Sequence, residues 1–185
     1  MTSVGEIALR CVEALEADGI PCAVGGAIAL GFWCPPRATL DVDLNIFVSA
    51  DDVHRALAPL LALGVQGEMD TMKARLQQGE AGMLYLDGVR LDIFLPSIPF
   101  YAEAARRVVR LKFLGRTLPV LSAETLAVFK MLFFRKKDLA DLERLLAFQG
   151  PALDAMWVRA QLADMMGDDD ERVAAWDRLV ADAVG

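Results

Sequence analysis

The chain has 185 residues, 55% hydrophobic and 24% charged, with a net charge of −7 at pH 7. That balance describes one globular domain, or a compact core with a small appendage, and excludes a disordered chain. It also disfavours tight nucleic-acid binding through the whole surface, and the longest apolar run, residues 23–36, carries glycines and ends in two prolines, so no membrane span is expected. The first residues lack a basic stretch followed by an apolar one, which argues against a secretory signal and for a soluble cytoplasmic protein. Cys11, Cys22 and Cys34 are odd in number and form no Cys-x-x-Cys pair, so they read as buried thiols. His54, the one histidine, falls in the polar opening of a helix, which leaves histidine-based catalysis or metal ligation poorly supported.

In chain order, residues 6–18 carry apolar side chains at helical spacing, and Gly19 stops the helix. A short strand over 20–24 leads into Gly25-Gly26, and a short helix over 27–32 follows, ended by Pro35-Pro36. A strand turning directly through glycines into a helix presents free backbone N–H groups, a setting that favours anions. Residues 37–39 are an extended approach to a strand over 40–48. A helix capped by Ser49 or Asp51 runs to about residue 63, and 67–79 is a helical or irregular excursion. Asp87-Gly88 joins strands over 83–86 and 89–95 in a hairpin, since that dipeptide suits a two-residue primed turn. A short helix over 100–107 and a strand pair around Gly115 complete the first two thirds. From Ser122 onward the pattern is helical, with breaks at Gly150-Pro151 and Gly167. The domain expectation is a core over 1–121 and a C-terminal helical region over 122–185, packed as one structural unit.

Asp41 and Asp43 are the residues that carry chemistry. In a strand their carboxylates share a face while Val42 and Leu44 turn to the core. A second Asp-x-Asp, Asp168 and Asp170, lies in a run of acids that reads as a solvated turn. Asp41 and Asp43 instead interrupt an apolar strand, where charge is rarely placed without a partner. Asp92, in another apolar strand expected to lie alongside, is the third. Converged, the three acids offer oxygen ligands for a magnesium ion and a group able to accept a proton from a hydroxyl.

Gly25-Gly26, Asp41-Val42-Asp43-Leu44 and a later strand with Asp92 resemble the nucleotidyltransferase fold shared by DNA polymerase β and many small transferases. Within it the chain looks closest to AbiEii-type nucleotidyltransferases, which include toxins of toxin–antitoxin systems. The carrying residues are Gly25-Gly26-Ala27-Ile28-Ala29, Arg37-Ala38-Thr39-Leu40-Asp41-Val42-Asp43, and Lys130 followed by Arg135-Lys136-Lys137-Asp138. The resemblance covers about residues 20–145 and implies an α+β fold, a mixed sheet flanked by helices with a C-terminal helical region. It implies transfer of a nucleoside monophosphate from a nucleoside triphosphate to a hydroxyl on an RNA end, a protein or a small molecule, with release of pyrophosphate. Asp41, Asp43 and Asp92 would be catalytic and hold Mg2+ or Mn2+, and Gly25, Gly26, Arg37, Thr39, Lys130 and Lys137 would bind nucleotide. A cognate antitoxin is among the implied partners.

Bland readings of the same residues stand beside these. Gly25-Gly26 suits an ordinary tight turn, Arg37 an ion pair, Thr39 a strand, and Lys130 to Lys137 a solvated helix face. Asp138 and Asp141 suit pairs with Lys137 or Arg144 along the helix. Phe129, Met131, Leu132, Phe133 and Phe134 read as a buried face, and Trp33 as packing under the loop rather than lining a nucleotide pocket. Arg106, Arg107, Arg110, Lys112 and Arg116 form either an RNA-receiving surface or a solvated strand edge. A non-catalytic protein that keeps the fold to bind nucleotide or a partner is the second functional reading.

Overall fold

The computed structural model describes residues 3–184, so Met1, Thr2 and Gly185, the extreme ends of the two expected regions, lie outside the described residues. The chain forms two compact units. One holds the residues up to Ile28 together with Ala38–Leu121, and the other holds Ala29–Arg37 together with the residues from Ser122 onward. The helical unit therefore takes in a short piece of the N-terminal third, beyond the region expected from residue 122.

The first unit is built on a sheet. Helix α1 (Val4–Ala17) starts where the Ser3 hydroxyl accepts a hydrogen bond from the Glu6 N–H at 3.2 Å. Its stripe of Ile7, Ala8, Cys11, Val12 and Leu15 is buried, because residues three and four apart share a face. Strand β1 (Cys22–Val24) follows, then helix α2 (Gly26–Trp33), which begins in this unit and ends in the other. Strand β2 covers Asp41–Ile46, shorter than expected, and Leu40 is 86% exposed rather than part of the strand's apolar face. After a single 3-10 turn capped by Ser49 come helices α3 (Val53–Ala62) and α4 (Met69–Gln77), the latter resolving the ambiguous stretch as helix.

Strands β3 (Gly82–Leu86) and β4 (Val89–Phe94), helix α5 (Phe100–Arg106), and strands β5 (Val109–Phe113) and β6 (Arg116–Val120) complete the unit. The six strands are ordered β3-β4-β2-β1-β6-β5, with β2·β4 and β1·β6 parallel and the rest antiparallel. Alternation divides the sheet cleanly. Val42, Leu44, Ile46, Leu84, Leu91 and Ile93 on one face are fully buried, each such side chain contributing roughly 1.5–3 kcal/mol, and α1 packs against β1, β2 and β6 while α4 packs on β3. The residues between them on β2 and β4 point the other way.

Both hairpins use two-residue turns with positive φ at each centre, Asp87 (+51°) and Gly88 (+83°), Leu114 (+48°) and Gly115 (+79°). This geometry matches the twist of the flanking strands. Leucine at such a φ is strained, unlike the aspartate in the matching position.

In the second unit, helices α6 (Ala123–Phe133), α7 (Lys136–Gln149), α8 (Ala155–Met166) and α9 (Glu171–Val184) pack on one another. The Ser122 hydroxyl caps α6 by accepting from the Thr125 N–H at 3.2 Å. The expected continuous helical face through Phe134 is broken, because Phe134 adopts a left-handed φ of +52° and ends α6. Phe129 and Met131 are buried as expected, but Phe133 is 48% exposed, with the Arg135 guanidinium 4.7 Å from its ring centre. The three cysteines are buried and free, and burial pushes the Cys11 and Cys22 thiols up to about 12. Among the described residues no helix is long and apolar enough to cross a membrane.

Candidate active site

The carboxylates sit on the sheet face opposite the apolar core. In a parallel pair, residues in register carry their side chains to the same side. Asp43 is in register with Asp92, and Asp41 with Arg90, so one strand spacing separates the acids of β2 from the third acid on β4. Asn45 continues the same row and is buried. The alternation Asp41, Asp43, Asn45 was readable as a polar row, and Asn45 is the member the sequence reading passed over.

Gly25 and Gly26 lie against this row. The Gly25 N–H donates to the Asp43 carbonyl at 2.8 Å, which ties the turn to the strand. A Cβ on Gly26 would fall 1.7 Å from Asp43 Oδ2, and one on Gly25 would fall 2.7 Å from Asn45 Nδ2. Gly26 also holds a φ of +54° at the start of α2. Close approach and left-handed backbone together require glycine at Gly26. The Thr39 hydroxyl donates to the Asp41 carboxylate, fixing one of its oxygens.

Asp92 is held differently. Arg90, two residues earlier on the same strand, donates through Nε to Oδ1 and through Nη2 to Oδ2, both at 2.8 Å. Among the described residues no three histidine, cysteine, aspartate or glutamate side chains are gathered so as to hold one metal ion. Asp41 and Asp43 nonetheless suit a magnesium or manganese ion in donor type, being adjacent carboxylates on one strand face with glycine space beside Asp43. Asp92 lies beside them with both oxygens held by Arg90.

Arg37 and Lys130 meet in the second unit, on Asp141. Arg37 donates through Nε and Nη2 to the two carboxylate oxygens at 3.0 Å each, and Lys130 Nζ donates to Oδ2 at 2.7 Å. Arg144 Nη1 lies 3.6 Å from Asp141, and its Nη2 donates to the Pro35 carbonyl. The Trp33 carbonyl accepts from the Gln149 side chain. Burial works to raise the Asp141 pKa, but the hydrogen bonds from Arg37 and Lys130 outweigh it and hold the carboxyl below its usual range. Lys130 is 6% exposed, so it is no part of a solvated helix face, whereas Lys137 is exposed on α7. The expected pairing of Asp141 with Arg144 is present; Asp138 is taken by Arg135 at 2.6 Å and Lys130 at 3.6 Å rather than by Lys137. No sequence spacing pointed to Asp141 as the shared partner, because Lys130 and Asp141 sit on different helices.

The arginines of the first unit's basic cluster pair with acids. Arg106 and Arg107 pair with Glu103, Arg110 with Glu16 at 2.7 Å, and Arg116 with Glu6 at 2.6 Å and Glu13 at 3.1 Å. α1 thus supplies the acids for Arg110 and Arg116 of the β5–β6 hairpin, while Lys112 Nζ donates to the Thr117 hydroxyl at 3.3 Å.

No family model matches the sequence, and no curated protein matches it. Solved structures do match. ANT(2")-Ia, solved in complex with adenylyl-2"-tobramycin, aligns over 98% of this chain and 98% of its own, with a TM-score of 0.50 and 16% identity. A candidate nucleotidyltransferase from Thermotoga maritima aligns over 76% of this chain and 90% of its own, with a TM-score of 0.50 and 12% identity. The fold is that of the nucleotidyltransferases. The α+β class and mixed sheet expected from the sequence are present, and in this chain Asp41, Asp43 and Asp92 lie on one sheet face.

Proposed function

We propose that the chain transfers a nucleoside monophosphate from a nucleoside triphosphate to a hydroxyl acceptor, releasing pyrophosphate. The observation that carries this reading is the in-register pairing of Asp43 with Asp92, with Asp41 on the same face and Gly26 backed against the Asp43 carboxylate. Asp41 and Asp43 hold the divalent cation, and the Thr39 hydroxyl fixes the Asp41 carboxylate for that task. A bound Mg2+ or Mn2+ supplies positive charge that neutralises the phosphates and the leaving pyrophosphate. Asp92, once free of Arg90, accepts the proton of the acceptor hydroxyl, and its place beside Asp43 keeps that proton near the reacting phosphate. Gly25 and Gly26 let the backbone N–H groups at the start of α2 approach phosphate oxygens without a Cβ in the way.

The resemblance gives Arg37 and Lys137, both exposed, a nucleotide-binding role, and within their unit Lys130 helps Asp141 hold Arg37 in a single orientation. The finer likeness to AbiEii-type enzymes rests on Arg37 to Asp43 and on Lys137-Asp138, and with it the idea of a cognate antitoxin. ANT(2")-Ia, with its adenylylated small molecule, supports including a small-molecule hydroxyl among the acceptors, beside RNA ends and proteins. The second reading, a non-catalytic nucleotide- or partner-binding protein, draws on the hold of Arg90 on Asp92.

The test is incubation with each α-labelled nucleoside triphosphate and Mg2+ or Mn2+, offering cell lysate, RNA and aminoglycosides as acceptors, for wild type and Asp43→Ala. Label transfer by wild type, lost in the variant, is expected. Transfer that survives Asp43→Ala overturns the site, and nucleotide binding without transfer to any acceptor favours the second reading.

A further inference from the structure

Arg90 is a cation built into the carboxylate row. It stands in register with Asp41, two residues from Asp92 on the same strand, and its guanidinium covers both oxygens of Asp92. The Asp92 side chain is 11% exposed and that of Arg90 is 48% exposed, so the acid is fixed while the cation reaches it from solvent on a long stem. A guanidinium stays charged at any working pH, and its planar fork matches a carboxylate at two points. With one lone pair of each oxygen engaged by a cation, Asp92 is a weaker ligand for a metal ion than a carboxylate of full charge.

Resting on the proposed transferase site, we propose that Arg90 is a built-in counter-cation for Asp92, which a divalent cation displaces when it loads the site. The logic is charge balance. Three carboxylates on adjacent strands repel one another, and one of them is neutralised from within the chain until an ion of higher charge arrives. Displacement leaves the half-exposed guanidinium on the same sheet face, beside Asp41, where the triphosphate is proposed to lie and where it meets phosphate oxygens as well as it met the carboxylate. Arg90 is thus a positioning residue: it delays Asp92 until cation and nucleotide are both present.

The test is Mn2+ titration of the nucleotide-free protein by calorimetry, for wild type, Arg90→Gln, Arg90→Lys, Asp92→Asn, Asp43→Asn and the double variant Arg90→Gln/Asp92→Asn. Arg90→Gln is expected to bind Mn2+ about tenfold tighter than wild type, equal to about 1.4 kcal/mol. Arg90→Lys, which keeps the charge but loses the two-point grip, falls between them, and the gain disappears in the double variant. Arg90→Gln affinity within about twofold of wild type overturns the proposal, as does a gain that persists without Asp92. Mn2+ binding that needs Asp43 but ignores Arg90 sinks this inference alone. Mn2+ binding that ignores Asp43→Asn, or no Mn2+ uptake by any of the proteins, sinks the proposed site with it. A readout free of folding effects comes from wild type: the Arg90 Nε–H nuclear magnetic resonance signal shifts as Mg2+ saturates the protein, and a signal that stays in place overturns the proposal.

Discussion

Replacing Asp141 by asparagine tests whether the second unit is organised around that one buried charge. The substitution keeps the shape and one acceptor oxygen but removes the charge that faces Arg37 at 3.0 Å and Lys130 at 2.7 Å. Lys130, 6% exposed, is left with the Asp138 carboxylate at 3.6 Å and nothing as close as before. Breaking a buried ion pair by removing one partner costs about 3–5 kcal/mol, because the remaining charge stays desolvated. Arg37 is more than a third exposed, so its share is below about 1 kcal/mol. A loss of about 3 kcal/mol is therefore expected for Asp141→Asn, toward the low end since the amide still accepts a hydrogen bond. Urea unfolding followed by tryptophan fluorescence is the direct assay, as Trp33, Trp157 and Trp176 all belong to the second unit. The double variant Asp141→Leu/Lys130→Met leaves no buried charge at that point and is expected to regain about half of the loss or more. A loss under about 1 kcal/mol in Asp141→Asn, the size of an exposed pair, refutes the reasoning.

The lowered pKa of Asp141 makes its contribution pH-dependent: it is fully present above the ordinary aspartate value of about 3.9 and fades as pH falls through the depressed folded value. The stability gap between wild type and Asp141→Asn, measured by urea titrations at successive pH values, should hold steady near neutrality and narrow only below that value. Gly26→Ala puts a Cβ 1.7 Å from Asp43 Oδ2 at a φ of +54°, so it should cost about 1–2 kcal/mol in backbone strain and weaken Mn2+ binding by about tenfold or more through a displaced Asp43. Calorimetry that finds the affinity unchanged contradicts the close packing assigned to that turn. Leu114→Asn relieves a leucine held at +48° and should stabilise the β5–β6 hairpin by about 0.5–1 kcal/mol, read as a rise in the thermal midpoint.

Features set by neighbouring residues were legible in the sequence. The alternation of acids with Val42 and Leu44, the Asp87-Gly88 turn and the cap at Ser122 are local patterns, and the structure has each of them. What was hidden depends on chain segments that meet far apart in sequence. Composition cannot distinguish a lysine in a basic run from one buried against an aspartate on the next helix, so Lys130 read either as a solvated helix residue or as a nucleotide contact, and its burial on Asp141 was not foreseen. The hold of Arg90 on Asp92 was within reach, since the two share a strand face at a spacing of two, but an arginine in a strand is ordinarily read as solvated. Phe133 was misplaced because nothing in Phe-Phe-Arg announces a left-handed residue at Phe134. Residues 29–37 joined the helical unit through Asp141, Arg144 and Gln149, contacts that helical periodicity does not encode.

That last arrangement bears on how the chain folds as it is made. Residues 29–37 leave the ribosome early, yet the helices that hold Arg37, Pro35 and Trp33 are translated about a hundred residues later, on the order of ten seconds at ordinary elongation rates. For that interval Arg37, Pro35 and Trp33 wait for Asp141, Arg144 and Gln149, and the ion pair at Asp141 can close only near the end of synthesis. Slowing translation between residues 121 and 146 should lengthen the time during which that segment is open to proteases, while the sheet, complete by Val120, is already able to form.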